Sequence, residues 1–180
     1  MLKFEDSSEK IKYQKNYFEL LKKLDFIKSG KRLVIKNPPN TGRIEMLLSL
    51  FPNAQFIYLH RDEQAVIPST VNMHQQMINR FGLTTKSNLN IEEMVKKHHT
   101  QIIKQYNTNK KLIPENNLIE IDYRNFIDYP EITLSNIYNK LNLNGFTETL
   151  PVFRKYINQQ KKHTENFTPA KVNELVPQFT

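Results

Sequence analysis

The sequence predicts a three-layer α/β fold, a small parallel sheet flanked by helices, and three observations carry that reading. Short apolar runs recur at Leu33-Val34-Ile35, Phe56-Ile57-Tyr58-Leu59 and Leu118-Ile119-Glu120-Ile121, the form taken by strands covered on both faces. Around them lie longer segments whose apolar residues return at three- and four-residue steps, as on one face of a helix. Strands that alternate with helices imply parallel pairing through crossover connections. With 180 residues, 38% of them hydrophobic, the chain can bury a core, and its length predicts one domain over residues 1–180.

Taken in order, Ile11, Tyr13, Tyr17, Phe18, Leu20, Leu21, Leu24 and Phe26 mark an amphipathic helix from Ser7 to Ser29, with Gly30 as its C-terminal cap. Leu33–Ile35 is the first predicted strand and leads into Lys36-Asn37-Pro38-Pro39-Asn40-Thr41-Gly42, a loop by its turn residues. Ile44, Met46, Leu47, Leu48, Leu50 and Phe51 form a short helix stopped by Pro52, and Phe56–Leu59 is the second strand. Leu33 to Leu59 therefore reads as a βαβ unit. A longer helix falls within Glu63–Phe81, and Asn90 with Glu93 makes a capping-box-like start for another, from Ile91 to about Asn107. Leu118–Ile121 is the third strand. Helices follow near Ile132–Leu141 and Thr147–Gln160, and the tail from His163, with Pro169 and Pro177, reads as irregular.

Composition excludes several kinds of chemistry. The chain has no Cys, hence no disulfide framework, thiolate nucleophile or Cys-type zinc site, and its His and carboxylates show no ligand spacing, so no metal is expected. No run approaches the roughly 20 apolar residues that cross a bilayer, and the first residues lack the apolar centre of a signal peptide. A cytoplasmic protein without a membrane segment is expected. The net charge of +8 attracts anions: nucleic acid, acidic membranes or a phosphorylated small molecule. The lysines are dispersed, however, and serve equally as a solvated surface. Nucleic acid is not an expected partner, because Phe18, Phe56 and Phe153 lie in apolar faces rather than on an exposed stacking platform. Gly30, Gly42, Gly82 and Gly145 stand far apart, so neither G-x-x-x-x-G-K-[ST] nor G-x-G-x-x-G can be written in this chain.

In open parallel sheets, ligands bind beyond the carboxyl ends of the strands. Three segments at such ends are polar or charged: Lys36–Thr41, His60–Asp62 and Asp122–Arg124. Arg61 leaves its strand where a guanidinium can grip a phosphate with two parallel hydrogen bonds, and Asp62 is placed to cap the following helix. Ser69 comes seven residues after Asp62, about two helical turns, and so lies near the same face. Proline belongs in the first turn of a helix; a helix restarting at Pro68 would leave the Ser69 amide open to an anion. Spacing equally allows Arg61 to pair with a carboxylate and Ser69 to be an ordinary helix-start residue. His60 is expected to turn away from Arg61 along the strand. His74, His98 and His99 fall on helices, and all four histidines read as structural.

The run LVIKNPPNTGRIEMLLSLFPNAQFIYLHRDEQAVIPST, beginning at Leu33, resembles the sulfotransferase family, closest to its bacterial-type branch. The shared pattern is an apolar strand, Lys with a Pro-containing loop, a Leu-rich helix, Phe-Pro-x-Ala, a second apolar strand ending in Arg-Asp, and Ser eight residues on. LIEIDYRNFIDYPEITLSNIYNKLNL, beginning at Leu118, is similar to the family's later strand with its Tyr-Glu-Asp-Leu-like turn and Pro-started helix. The two matches stand in the family's order and are more specific together than either alone.

The resemblance implies the P-loop nucleoside-triphosphate-hydrolase-like sulfotransferase fold, without its amino-terminal strand and phosphate loop. It also implies 3′-phosphoadenosine 5′-phosphosulfate as donor and co-substrate. Arg61 and Ser69 match the family's pair for the 3′-phosphate, Tyr123 its tyrosine near the adenine, and Lys161 and Lys162 its basic residues over the same phosphate. Lys36 matches the catalytic Lys near the transferring group, where an ammonium stabilises charge on oxygen in a loose transition state; a strand-end ion pair is the other reading. Two departures stand out. Many sulfotransferases carry a His just after this Lys as general base, but here the loop holds Asn37 and Asn40, and Asn accepts no proton at a useful pKa. A carboxylate supplied elsewhere, or loss of acceptor activation, follows. Nothing before Leu33 resembles the family's phosphate loop, which points either to the carboxyl-terminal part of a longer sulfotransferase or to a diverged protein.

The expected function is transfer of a sulfuryl group to an unknown hydroxyl or amine acceptor. The alternative is a catalytically inactive module that binds a phosphorylated nucleotide or a protein partner. An exposed sheet edge would invite association. The acceptor itself is not legible, because variable loops build that side of such sites.

Overall fold

Two five-residue strands, β1 (Phe56–His60) and β2 (Leu118–Asp122), pair in parallel, in register from Phe56 against Leu118 to His60 against Asp122. Side chains alternate across a strand, so the register sorts the apolar residues of both strands onto two faces. On one face Phe56, Tyr58 and Leu118 meet Ile44, Leu48, Tyr106 and Ile113. On the other, Ile119 and Ile121 meet Phe126, Leu134, Ile137, Leu141 and Leu143. The sheet thus lies between two helical layers, which is the three-layer α/β arrangement the sequence predicts. The computed structural model describes residues 6–82 and 90–166, the last six of these as backbone alone.

Helix α1 (Ser7–Ile27) starts at Asp6, whose carboxylate accepts from the Ser8 amide, and stops where Ser29 and Gly30 turn left-handed at φ 54° and 71°. Gly30 takes that conformation without steric cost, as predicted, although the helix stops two residues short of the expected Ser29. No residue of α1 is buried. It leans on the next segment through Phe18 against Phe51, Gln14 donating to Ser49 Oγ, and Arg43 donating to Tyr13 Oη.

Leu33–Ile35 is not a strand, contrary to the sequence reading. β1 and β2 pair only with each other among the described residues, so this triplet has no neighbouring strand to take its N–H and C=O groups, and Val34 is 85% exposed. The βαβ unit expected over Leu33–Leu59 is accordingly absent. A 3-10 turn at Pro38–Gly42 leads instead to α2 (Ile44–Leu50), which buries Ile44, Met46 and Leu47.

The parallel crossover is longer: β1, α3 (Glu63–Phe81), α4 (Ile91–Asn109), two 3-10 turns, then β2. Asn90 caps α4 by accepting from the Glu93 amide at 3.1 Å, as its sequence position predicts. After β2 come α5 (Tyr123–Asp128), which the sequence reading did not separate from the strand-end turn, then α6 (Pro130–Lys140) and α7 (Phe146–Asn166). α7 runs past His163, so His163–Asn166 is helical rather than irregular, and the rest of the predicted tail lies outside the described residues. The helix is held to α6 by Phe146 and Phe153 around Tyr138 and by a two-pronged Arg154–Glu131 pair.

The second helical layer covers β2 better than β1: Ile121 is 7% exposed, whereas Ile57 and Leu59 on the same face of β1 are 49% and 43% exposed. Burial therefore concentrates in a few residues. Leu141→Ala should cost about 2–5 kcal/mol by leaving a cavity, whereas Phe26→Ala, 87% exposed on α1, should stay within about 0.5 kcal/mol. Chemical denaturation measures both; equal losses would contradict this packing.

Candidate functional site

In-register parallel strands end together, and both strands here turn at once into helices. Asp62 follows β1 and caps α3, its Oδ1 accepting from the Gln64 amide at 2.9 Å. Asp122 ends β2 and caps α5, its Oδ1 accepting from the amides of Arg124 and Asn125 at 2.8 and 3.2 Å. Asp caps because its short side chain reaches the otherwise unbonded amides of the first turn. Between the two strand ends lies a cleft of about 420 Å³ lined by His60, Arg61, Asp62, Ala65, Asp122, Tyr123 and Arg124.

Each carboxylate also faces a basic residue of the opposite strand end. Asp122 Oδ2 lies 3.6 Å from His60 Nδ1, and Asp62 Oδ2 lies 4.0 Å from an Arg124 guanidinium nitrogen. Arg61 is held differently. Its guanidinium carbon sits 4.7 Å from the centre of the Tyr123 ring, a cation–π contact, and no carboxylate among the described residues lies within ion-pair distance of it. The cleft therefore presents an arginine whose charge is supported by an aromatic face rather than neutralised by an acid.

Below the cleft, on the face shared by Tyr58 and His60, Glu120 accepts from Tyr106 Oη at 2.6 Å and from Lys110 Nζ at 3.0 Å. Tyr58 and Tyr106 pack ring to ring with centres 3.9 Å apart. These two bonds hold the Glu120 carboxyl below the usual carboxylate range. Burial first, then the Glu120 carboxylate, pushes the Tyr106 phenol far above the ordinary tyrosine range, and the same two causes raise Tyr58 less.

Of the three strand-end segments, the structure brings together two. Arg61 and Tyr123 meet in the cleft. Ser69 is exposed on α3, one turn beyond the cleft-lining Ala65, and is not part of the lining. α3 runs unbroken through Pro68, so the helix does not restart there and the Ser69 amide lies inside it. Lys36 is exposed on the irregular stretch before the 3-10 turn and does not line the cleft. Its loop is held by Asn37 donating to Asn40 and Asn40 to Tyr17 Oη of α1. Lys161 and Lys162 lie on the α7 backbone, and their side chains are outside the described residues.

His60 corrects the sequence reading: it lines the same cleft as Arg61 instead of turning away. In sequence, Asp122 and Arg124 stand out only as part of a polar strand end. Their crosswise pairing depends on the register, which no local pattern reveals. His74 Nδ1 donates to the Thr70 carbonyl of α3 at 2.9 Å, and His99 Nδ1 stands 3.8 Å from a Glu63 carboxylate oxygen. Among the described residues no three His, Cys, Asp or Glu side chains stand together as a metal site, and no helix is long and apolar enough to cross a membrane.

The profile of the sulfotransferase family matches residues 3–148. Among curated proteins, the omega-hydroxy-beta-dihydromenaquinone-9 sulfotransferases Stf3 of Mycobacterium bovis (strain ATCC BAA-935 / AF2122/97) and Mycobacterium tuberculosis (strain CDC 1551 / Oshkosh) are each 28% identical over 141 residues. The alignment covers 78% of this chain and 36% of theirs, so the chain matches about a third of the length of these relatives. No solved structure matches significantly.

Glu120 makes folding stability depend on pH. Its folded-state carboxyl titrates below the ordinary 4.5, so its stabilising bonds are present above 4.5 and are lost as pH falls through the depressed folded value. Glu120→Gln should be less stable than wild type at pH 7, by a modest amount because the carboxylate is 44% exposed. The difference should close in acid; melting curves at pH 7 and pH 3 measure it, and a gap that widened in acid would contradict the network.

Proposed function

The chain belongs to the sulfotransferase family, and from that membership we propose that its cleft grips the 3′-phosphate of the sulfate donor 3′-phosphoadenosine 5′-phosphosulfate. The observation that carries the proposal is Arg61, laid on the Tyr123 ring with no neutralising carboxylate among the described residues, in the crevice beyond two parallel strands. A planar guanidinium matches two phosphate oxygens at once, and the aromatic face fixes its orientation before the anion arrives. The remaining face of Tyr123 suits a nucleobase, which is the family's use of this position. Ser69, one turn along α3, and Lys161 and Lys162 are further proposed phosphate contacts.

The reaction proposed for the whole enzyme is attack by an acceptor oxygen on the donor's sulfur, as the sulfur–oxygen bond to the nucleotide phosphate breaks. The donor supplies the activated sulfuryl group; the protein's share is positioning and stabilisation of charge on oxygen. Lys36 is the proposed cation for that charge. The Stf3 relatives are named for an omega-hydroxy compound, which supports a hydroxyl acceptor over an amine. The outer edges of β1 and β2, unpaired among the described residues, are the surfaces through which association is proposed.

A second reading, a module that binds the nucleotide without turnover, draws on the exposed Lys36 outside the cleft lining and on the Asn37–Asn40 loop just after it, which lacks the His many sulfotransferases carry there. Two measurements separate the readings. Calorimetry should detect binding of 3′-phosphoadenosine 5′-phosphate, weakened about ten- to a hundredfold by Arg61→Ala, since hydrogen bonds to charged groups carry about 1.5–3 kcal/mol. No heat with wild type, or equal affinity in Arg61→Ala, overturns the site. A labelled-donor assay then decides turnover: transfer lost in Lys36→Met supports the enzyme reading, and binding without transfer supports the module.

A further inference from the structure

The cleft holds two arginines, one from each strand end, on either side of the same two aspartates. Asp62 and Asp122 each bind helix amides through Oδ1, which leaves Oδ2 to face the opposite strand. Asp62 Oδ2 is the partner of Arg124, but at 4.0 Å, the outer limit of an ion pair, and the Arg124 side chain is 80% exposed. Such a pair is worth little, about 0–1 kcal/mol at most for exposed ions, and so it opens readily. Arg124 is rooted beside Tyr123, the residue against which Arg61 lies. A phosphate monoester carries close to two negative charges at neutral pH and offers three oxygens, so one guanidinium leaves both charge and acceptors unmatched.

We propose that Arg124 is the second guanidinium of this anion site, exchanging Asp62 for the phosphate of the ligand when it binds. The inference rests on the Arg61 reading above and adds a residue from the other strand end. Asp62 is then a competitor as well as a cap: in the empty cleft it parks Arg124, and the ligand displaces it. A brace role, in which the Asp62–Arg124 pair merely ties the two strand ends, predicts a different pattern. Under a brace, removing either partner loosens the cleft and weakens binding alike. Under the exchange, removing the arginine weakens binding while removing the competing charge strengthens it.

The test titrates the full chain and its variants with 3′-phosphoadenosine 5′-phosphate by calorimetry. Asp62→Asn keeps a good helix cap and removes the competing carboxylate, so it should tighten binding a few-fold. Arg124→Ala should weaken binding about tenfold or more, and Arg124→Lys should recover only part of it, because an ammonium cannot fork. Arg124 is exposed, so its variants should keep the wild-type melting temperature, which shows that any loss is not misfolding. Unchanged affinity in Arg124→Ala, or parallel weakening in Arg124→Ala and Asp62→Asn, overturns the proposal. If Arg61→Ala weakens binding while Arg124→Ala leaves it unchanged, this inference fails alone; if wild type does not bind, both fail.

Discussion

The pairing of His60 with Asp122 at the end of an in-register parallel ladder is the constraint on which the remaining features depend. Because the strands end level, both chains must turn into helices at the same height, and each turn needs a residue that can satisfy first-turn amides. Asp62 and Asp122 do so. A slip of one residue would send Phe56 and Tyr58 to the opposite helical layer, away from Ile44 and Tyr106, and would separate the two caps. Core packing and cleft geometry therefore enforce the same register.

That geometry also decides how charge is distributed at the cleft. The chain's overall positive charge says little about a binding site, because its lysines are scattered. What matters is that two carboxylates among several cations are already engaged in capping and in crosswise contacts. An arginine supported by an aromatic ring keeps its charge available to an incoming anion. The Tyr106–Glu120–Lys110 cluster beneath engages its own carboxylate with Tyr106 and Lys110, so that acid is bonded there rather than to the cleft's arginines.

Much of the fold was legible where a single segment carries its own signal. β1, β2, α3, α4 and α6 announce themselves through periodicity, caps and stops, and Asp62 and Asn90 cap as their positions predict. Leu33–Ile35 misled because apolar character reports what a segment tolerates, whereas a strand also requires a neighbour. α5, at six residues, is too short to show a helical period. Pro68 misled in the other direction: it is the sixth residue of α3 and removes one backbone bond, yet burial of Ile67 and the length of the helix hold the element together. The site was half legible. The polar triplets at the strand ends stand out in sequence, Arg61 as an anion grip among them, and Tyr123 follows from the family pattern; the approach of Asp62 to Arg124 and of Asp122 to His60 exists only once the register is known.

Helix α1 carries a different consequence. It has no buried residue and is joined to the remainder by polar side-chain contacts and one stacked ring pair, while the two apolar clusters lie on either side of the sheet. Local opening costs least where few apolar contacts must be broken. α1 can thus detach while the sheet and both clusters stay intact, and its amides exchange with solvent hydrogen through that small opening rather than through global unfolding. The molecule consequently has two stabilities rather than one, and a spectroscopic probe on α1 would report the lesser.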